Sequence, residues 1–118
     1  MNETFGSYIR RRREELLKNS RDYTVRKLAA RLDIQPSYVS KVEREEVPPP
    51  SEATILRWAE AIEEDPDVLL ALAGKVSADL RQVILKRPKL FADLIRQLKD
   101  APDHALLRVV REVRDGNW

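Results

Sequence analysis

Residues 24–45 read TVRKLAARLDIQPSYVSKVERE and encode two short helices joined by a tight turn. Thr24 suits an N-cap, since its hydroxyl can accept from the orphan amides of a first helical turn, and Val25, Leu28, Ala29 and Leu32 then line one side of a short helix. Asp33 tolerates the left-handed conformation a tight turn needs, and Ile34 turns inward beyond it. Pro36 opens a second short helix at the position where its missing N–H costs nothing. On that helix Val39 and Val42 point inward, and Ser37, Tyr38, Ser40 and Lys41 point outward. The small Ala29 and Ala30 allow a close approach of the two helices while the second stands proud of the body.

Helical spacing extends in both directions from this pair. Upstream, Phe5, Tyr8, Ile9, Leu16 and Leu17 form an apolar stripe that predicts a helix from Phe5 to about Asn19. Arg12 falls on the same stripe, with its stem expected along the core edge and its head in solvent. Downstream, Pro48, Pro49 and Pro50 stiffen a loop, Ser51 caps a fourth helix carrying Ile55, Leu56, Ala59 and Ile62, and Trp58 belongs in the core or at its margin. Asp65 and Pro66 start a fifth helix, with Val68, Leu69, Leu70 and Leu72, that stops at Gly74. Three further amphipathic segments follow. The first starts near Ser77 with Leu80, Val83 and Ile84, the second follows Pro88 with Leu90, Phe91, Leu94, Ile95 and Leu98, and the third follows Pro102 with Leu106, Leu107, Val109, Val110 and Val113. The expectation is an all-α chain, with five helices in a first domain over residues 1–74 and about three short helices in a region over 75–118.

Composition bounds the chemistry. The 118 residues contain no Cys, one His and three Gly, which removes the raw material of Cys/His zinc sites, thiol catalysis, disulfides and Gly-rich phosphate loops, so no metal and no cofactor is expected. No apolar run reaches the roughly 20 residues of a membrane span, and the N-terminus lacks the apolar core of a signal peptide; a cytoplasmic protein is expected. His104 has no catalytic partner pattern around it, and Ser37 and Lys41, one turn apart, would both be solvated, so an enzyme is not expected. The formal net charge of +2 conceals a segregation. Residues 1–46 hold 11 Lys/Arg against 8 Asp/Glu, residues 47–74 hold 1 against 6, and residues 75–118 hold 10 against 6. Arg10 to Arg13 with Arg21, Arg26, Lys27, Arg31, Lys41 and Arg44 form a concentrated positive source, as a polyanion would require.

Residues 24–45 closely resemble the helix-turn-helix of the Xre family, the phage repressor and Cro type of regulator. Leu28-Ala29, Ile34, Ser37-Tyr38 and Glu43 all fall in register, and the resemblance extends from Phe5 to about Gly74 through PSEATILRWAEAIEEDPDVLLALAG, which looks like the family's fourth and fifth helices. Three departures stand out. Val25 occupies a position where the family often has a phosphate-touching Gln, Asp33 stands where Gly is common, and the link NSRDY between the first two helices is longer than in the compact repressors, so that Arg21 could add a backbone contact.

The resemblance implies that the helix at about 36–43 enters the major groove of double-stranded DNA. By the same implication Gln35, Ser37, Tyr38 and Lys41 read base edges, and Arg10, Arg13, Thr24, Arg26, Ser40 and Arg44 bind phosphates. Arg13 and Glu43 match positions that the family commonly joins as an ion pair. The last helices of the family's domain often make a homodimer contact, which places Leu69, Leu70 and Leu72 partly in the core and partly at an interface. The tail face of Phe91, Leu94, Ile95, Leu98, Leu106 and Val110 must cover the first domain, the same region of a second subunit, or a different protein held through residues 76–118. Two functions follow from the resemblance. One is a homodimeric transcriptional regulator, a repressor acting at a palindromic operator; the other is an antitoxin-like autoregulator whose C-terminal helices hold a partner such as a toxin or a neighbouring-gene peptidase.

Overall fold

A computed structural model describes residues 3–116, and among these no strand occurs. Thr4 starts α1 (Phe5–Leu17) through a capping box with Ser7. A 3-10 turn at Arg21–Tyr23 occupies the link, with the Ser20 hydroxyl accepting from the Asp22 amide at 3.2 Å. The pair read from residues 24–45 follows as α2 (Val25–Leu32) and α3 (Pro36–Glu43). The Thr24 hydroxyl accepts from the Lys27 amide at 3.2 Å, and Pro36 stands at the start of α3. Helices α4 (Glu52–Ala61) and α5 (Pro66–Leu72) are capped by Ser51 and Asp65.

The chain divides into two compact units, residues 1–77 and 78–118, three residues beyond the boundary expected at Gly74. In the first, α1 packs on α3, α2 on α3 and α4, and α4 on α5. Phe5, Ile9, Leu28, Leu32, Val39, Val42, Ile55, Trp58, Ile62, Leu69 and Leu70 close one core, with Trp58 fully enclosed rather than marginal. Leu69 and Leu70 have 0% exposure, which corrects their assignment to an interface: both side chains are spent inside the unit and offer a second copy nothing. Leu17, expected on the core stripe, lies outside the core and lines a cleft at the end of α1.

Four consecutive helices end in the same way, and only one of them uses glycine. After α2, the Ile34 amide donates to the Ala29 carbonyl (3.1 Å) with Asp33 at φ 56°; after α3, Glu46 donates to Lys41 (2.9 Å) with Glu45 at φ 61°. After α4, Glu64 donates to Ala59 (2.8 Å) with Glu63 at φ 56°; after α5, Lys75 donates to Leu70 (2.8 Å) with Gly74 at φ 73°. This six-to-one closure satisfies the last carbonyls of each helix. A side chain in the left-handed region costs roughly 1–2 kcal/mol, and an anion at a helix C-terminus opposes the dipole. At two of the three acidic positions a long-range contact supports the closure. The Glu45 carboxylate accepts from the Gly6 amide (3.4 Å) in the first turn of α1, where the dipole favours it. Arg12 donates to the carbonyls of Ile62 (3.1 Å) and Glu63 (3.4 Å), so its head closes the end of α4 instead of standing in solvent.

The second unit contains α6 (Ala78–Lys86), α7 (Pro88–Leu98) and α8 (Asp103–Arg114), with Pro88 opening α7 and Pro102 immediately before α8. None of the three has a buried residue. Leu90, Leu94, Ile95, Leu107, Val110 and Val113 are all exposed, whereas Phe91, Leu98 and Leu106 are half-buried.

Candidate nucleic-acid interface

The placement of α3 begins behind it. Val39 and Val42 are buried, and Glu43 is buried with them at 6% exposure. Glu43 meets Arg13 of α1 in a two-pronged pair, Nε to Oε2 at 2.7 Å and Nη2 to Oε1 at 2.9 Å. The third arm of the guanidinium donates from Nη1 to the Tyr23 carbonyl at 3.2 Å. One side chain therefore ties α1, the link and the end of α3 together, and the Glu43 carboxylate holds the Arg13 cation even more firmly protonated than usual. With only 7% of Arg13 exposed and all three nitrogens bonded, its expected second role at a phosphate loses its basis: the head is a strut inside the protein.

Gly6 is the other element of this placement, one that sequence reasoning passed over. A Cβ there would stand 2.6 Å from the Val42 carbonyl oxygen and 2.7 Å from that of Glu43. The first turn of α1 thus lies directly on the last carbonyls of α3. The only signal in the sequence was a glycine inside an amphipathic helix, where it costs about 1 kcal/mol relative to Ala and needs a packing reason.

In front of this scaffold, Gln35, Ser37 and Lys41 are exposed on α3 and its N-cap. Tyr38 differs from them: it is half-buried and packs against the core cluster, so only part of its ring is free. Ser40 is half-buried and lines a cleft of about 170 Å³ together with Arg10, Arg13, Val25, Glu43 and Arg44. The expected phosphate ligands are unequal. Arg26 is exposed, and the Thr24 hydroxyl, which accepts from the Lys27 amide, keeps its O–H as a donor. Arg10 stands 3.7 Å from the Glu14 carboxylate. Arg44 is bonded to Glu46, which raises the affinity of the Arg44 guanidinium for its proton and holds the Glu46 carboxyl below its ordinary range.

The helix pair and its buried strut hold an exposed polar row on α3 in front of the core. No helix among the described residues is long and apolar enough to cross a membrane. No curated protein and no solved structure matches the chain. The helix-turn-helix family model matches residues 9–69, just over half of the sequence. On that match and this geometry, the chain belongs to the helix-turn-helix family of Xre and Cro-type DNA-binding transcriptional regulators.

Proposed function

We propose that this regulator is a repressor that binds a palindromic operator as a homodimer, with α3 in the major groove of each half-site. The observation that carries the reading is the contrast across α3. Val39, Val42 and Glu43 are buried on one side, and Gln35, Ser37 and Lys41 stand exposed on the other with no role in the core. Gln35 is suited to adenine and Lys41 to guanine, while Ser37 can bond a base or a phosphate and the free part of Tyr38 can meet a thymine methyl; each good bidentate pair is worth roughly 1–3 kcal/mol of discrimination. In this reading Arg10, Thr24, Arg26, Ser40 and Arg44 contact phosphates, which set register without reading sequence. The two-fold symmetry of such a dimer implies half-sites about one helical turn apart.

Exposed apolar residues on α7 and α8 favour a protein contact through the tail, a second copy in this reading. The same observation supports a second reading, in which the tail holds a partner protein and DNA binding is autoregulation. Selection of bound duplexes from a random pool, together with the mass of the free protein in solution, tests both. A palindromic consensus and a dimer mass that falls in Leu94→Ala/Leu98→Ala support the first reading. A monomer that binds no sequence preferentially refutes it. Lys41→Ala is expected to change the preferred base at one operator position, whereas Arg44→Ala weakens all sequences alike.

A further inference from the structure

We infer that Lys18 and Arg21, on the long link between α1 and α2, form a clamp for the phosphate backbone of DNA. The inference rests on the DNA reading above and extends the binding surface past the helix-turn-helix. A cleft of about 530 Å³ lies between the end of α1 and the start of α2, lined by Leu17, Lys18, Asn19, Ser20, Arg21 and Thr24. Two of these residues are cations, and none is an acid. Asp22, the one acid of the 3-10 turn, does not line the cleft, and its carbonyl accepts from Arg31 at 3.3 Å.

Position and charge support one another. Thr24 and Val25, adjacent in sequence, line this cleft and the Arg10–Ser40–Arg44 cleft respectively, so the two basic concavities meet at the start of α2. The Arg13 strut fixes their relation to α3, because one guanidinium bonds both the Tyr23 carbonyl at the end of the link and Glu43 at the end of the recognition helix. The turn is itself held by the Ser20 cap and by Arg31 stacked over the Tyr23 ring, 4.8 Å from its centroid.

The ion pairs then rank the available cations. Arg10 faces Glu14, and Arg44 is bonded to Glu46, so either must leave an anion to take a phosphate, and that anion recovers a counterion. Among the described residues Lys18 and Arg21 have no ion pair and are exposed, as is Arg26 in the first turn of α2, and of these three only Lys18 and Arg21 line the cleft. They therefore release counterions on binding without an opposing uptake. In this chain the link adds two phosphate-binding cations to Arg26 at the start of α2, where Val25 has an apolar side chain.

The test uses the full chain and fluorescence anisotropy on both a selected duplex and a random one over a range of salt. The double variant Lys18→Ala/Arg21→Ala is expected to reduce the slope of log K against log salt by about 0.9 for every phosphate that each protomer no longer neutralises, and to weaken binding about fivefold per such phosphate at about 0.15 M salt. The preferred sequence stays the same, and Lys18→Arg/Arg21→Lys keeps the original slope because the charges are retained. Arg44→Ala changes the slope by less than Arg21→Ala, since Glu46 is freed at the same time. An unchanged slope in the double variant, with sequence preference intact, overturns the clamp alone. A native chain that binds both duplexes equally refutes the sequence-reading function instead, and the slope on the random duplex still decides the clamp. A chain that binds no duplex removes both.

Discussion

Removal of the Glu43 carboxylate is the perturbation whose consequence follows most directly from the geometry. Glu43 and Arg13 are 6% and 7% exposed, so neither charge has water to fall back on. Two charge-assisted hydrogen bonds, at 2.7 and 2.9 Å, join them. At about 1.5–3 kcal/mol for each bond to a charged group, the gross loss is about 3–6 kcal/mol, in line with the roughly 3–5 kcal/mol expected when a buried pair is deprived of one member. Arg13 keeps its bond to the Tyr23 carbonyl, which places Glu43→Ala toward the lower end. A domain of this size loses about 4–8 °C per kcal/mol, so a loss of about 3 kcal/mol lowers Tm by roughly 12–24 °C. The assay is urea unfolding followed through the fully buried Trp58, in a Trp118→Phe background, for Arg13→Ala, Glu43→Ala and the double variant. The double variant should cost well under the sum of the singles, because the second truncation removes the charge that the first stranded. Arg13→Lys should recover little, since an ammonium cannot form the fork to both carboxylate oxygens and also reach Tyr23. A coupling energy below about 0.5 kcal/mol would show that Arg13 and Glu43 do not act as a pair, since residues that do not interact add within that margin.

Gly6→Ala sets two terms against each other: a gain of about 1 kcal/mol in helix propensity and an overpacking cost of about 1–3 kcal/mol from a Cβ within 2.7 Å of two backbone carbonyls. Net destabilisation in urea and weakened DNA binding are expected, and a stabilised variant with unchanged binding would show that α1 does not bear on the end of α3. The Tyr8 hydroxyl donates to Glu64 at 2.8 Å, and this bond to a carboxylate raises the phenol above its ordinary value near 10. The link between α1 and the end of α4 is therefore complete below pH 10 and is lost as pH rises through the raised value. Tyr8→Phe should remove that part of the alkaline loss of stability while leaving the neutral-pH slope flat; identical alkaline profiles would contradict it.

Local chemistry wrote most of the fold into the sequence. Thr24, Asp33, Pro36, Ser51, Asp65 and Gly74 act on amides and carbonyls within a turn or two of themselves, so the starts of α2 to α5 and the ends of α2 and α5 could be read from single residues. The exposed row on α3 was legible for the same reason, since helical spacing alone separates Val39 and Val42 from Ser37 and Lys41. The end of α3 at Glu43 was legible only through the family resemblance, and how α3 and α4 close was not legible at all, because Glu45 and Glu63 adopt a left-handed conformation that their own chemistry disfavours and that bonds to Gly6 and Arg12 support from some 40 to 50 residues away.

Tertiary packing decided what each candidate side chain is free to do. The sequence offered Arg10, Arg13 and Arg44 as phosphate ligands and, through the resemblance, Glu43 as a partner for Arg13; the folded chain spends Arg13 on that buried pair alone, sets Glu14 beside Arg10 and Glu46 on Arg44, and leaves Lys18 and Arg21 unpaired in a cleft. Leu69 and Leu70 moved from a shared role to the core alone once α4 closed over α5. The division has one cause. Caps and periodicity depend on near neighbours and are written in order along the chain, whereas burial and ion pairing depend on which surfaces close packing brings together, and no single stretch of sequence contains both partners.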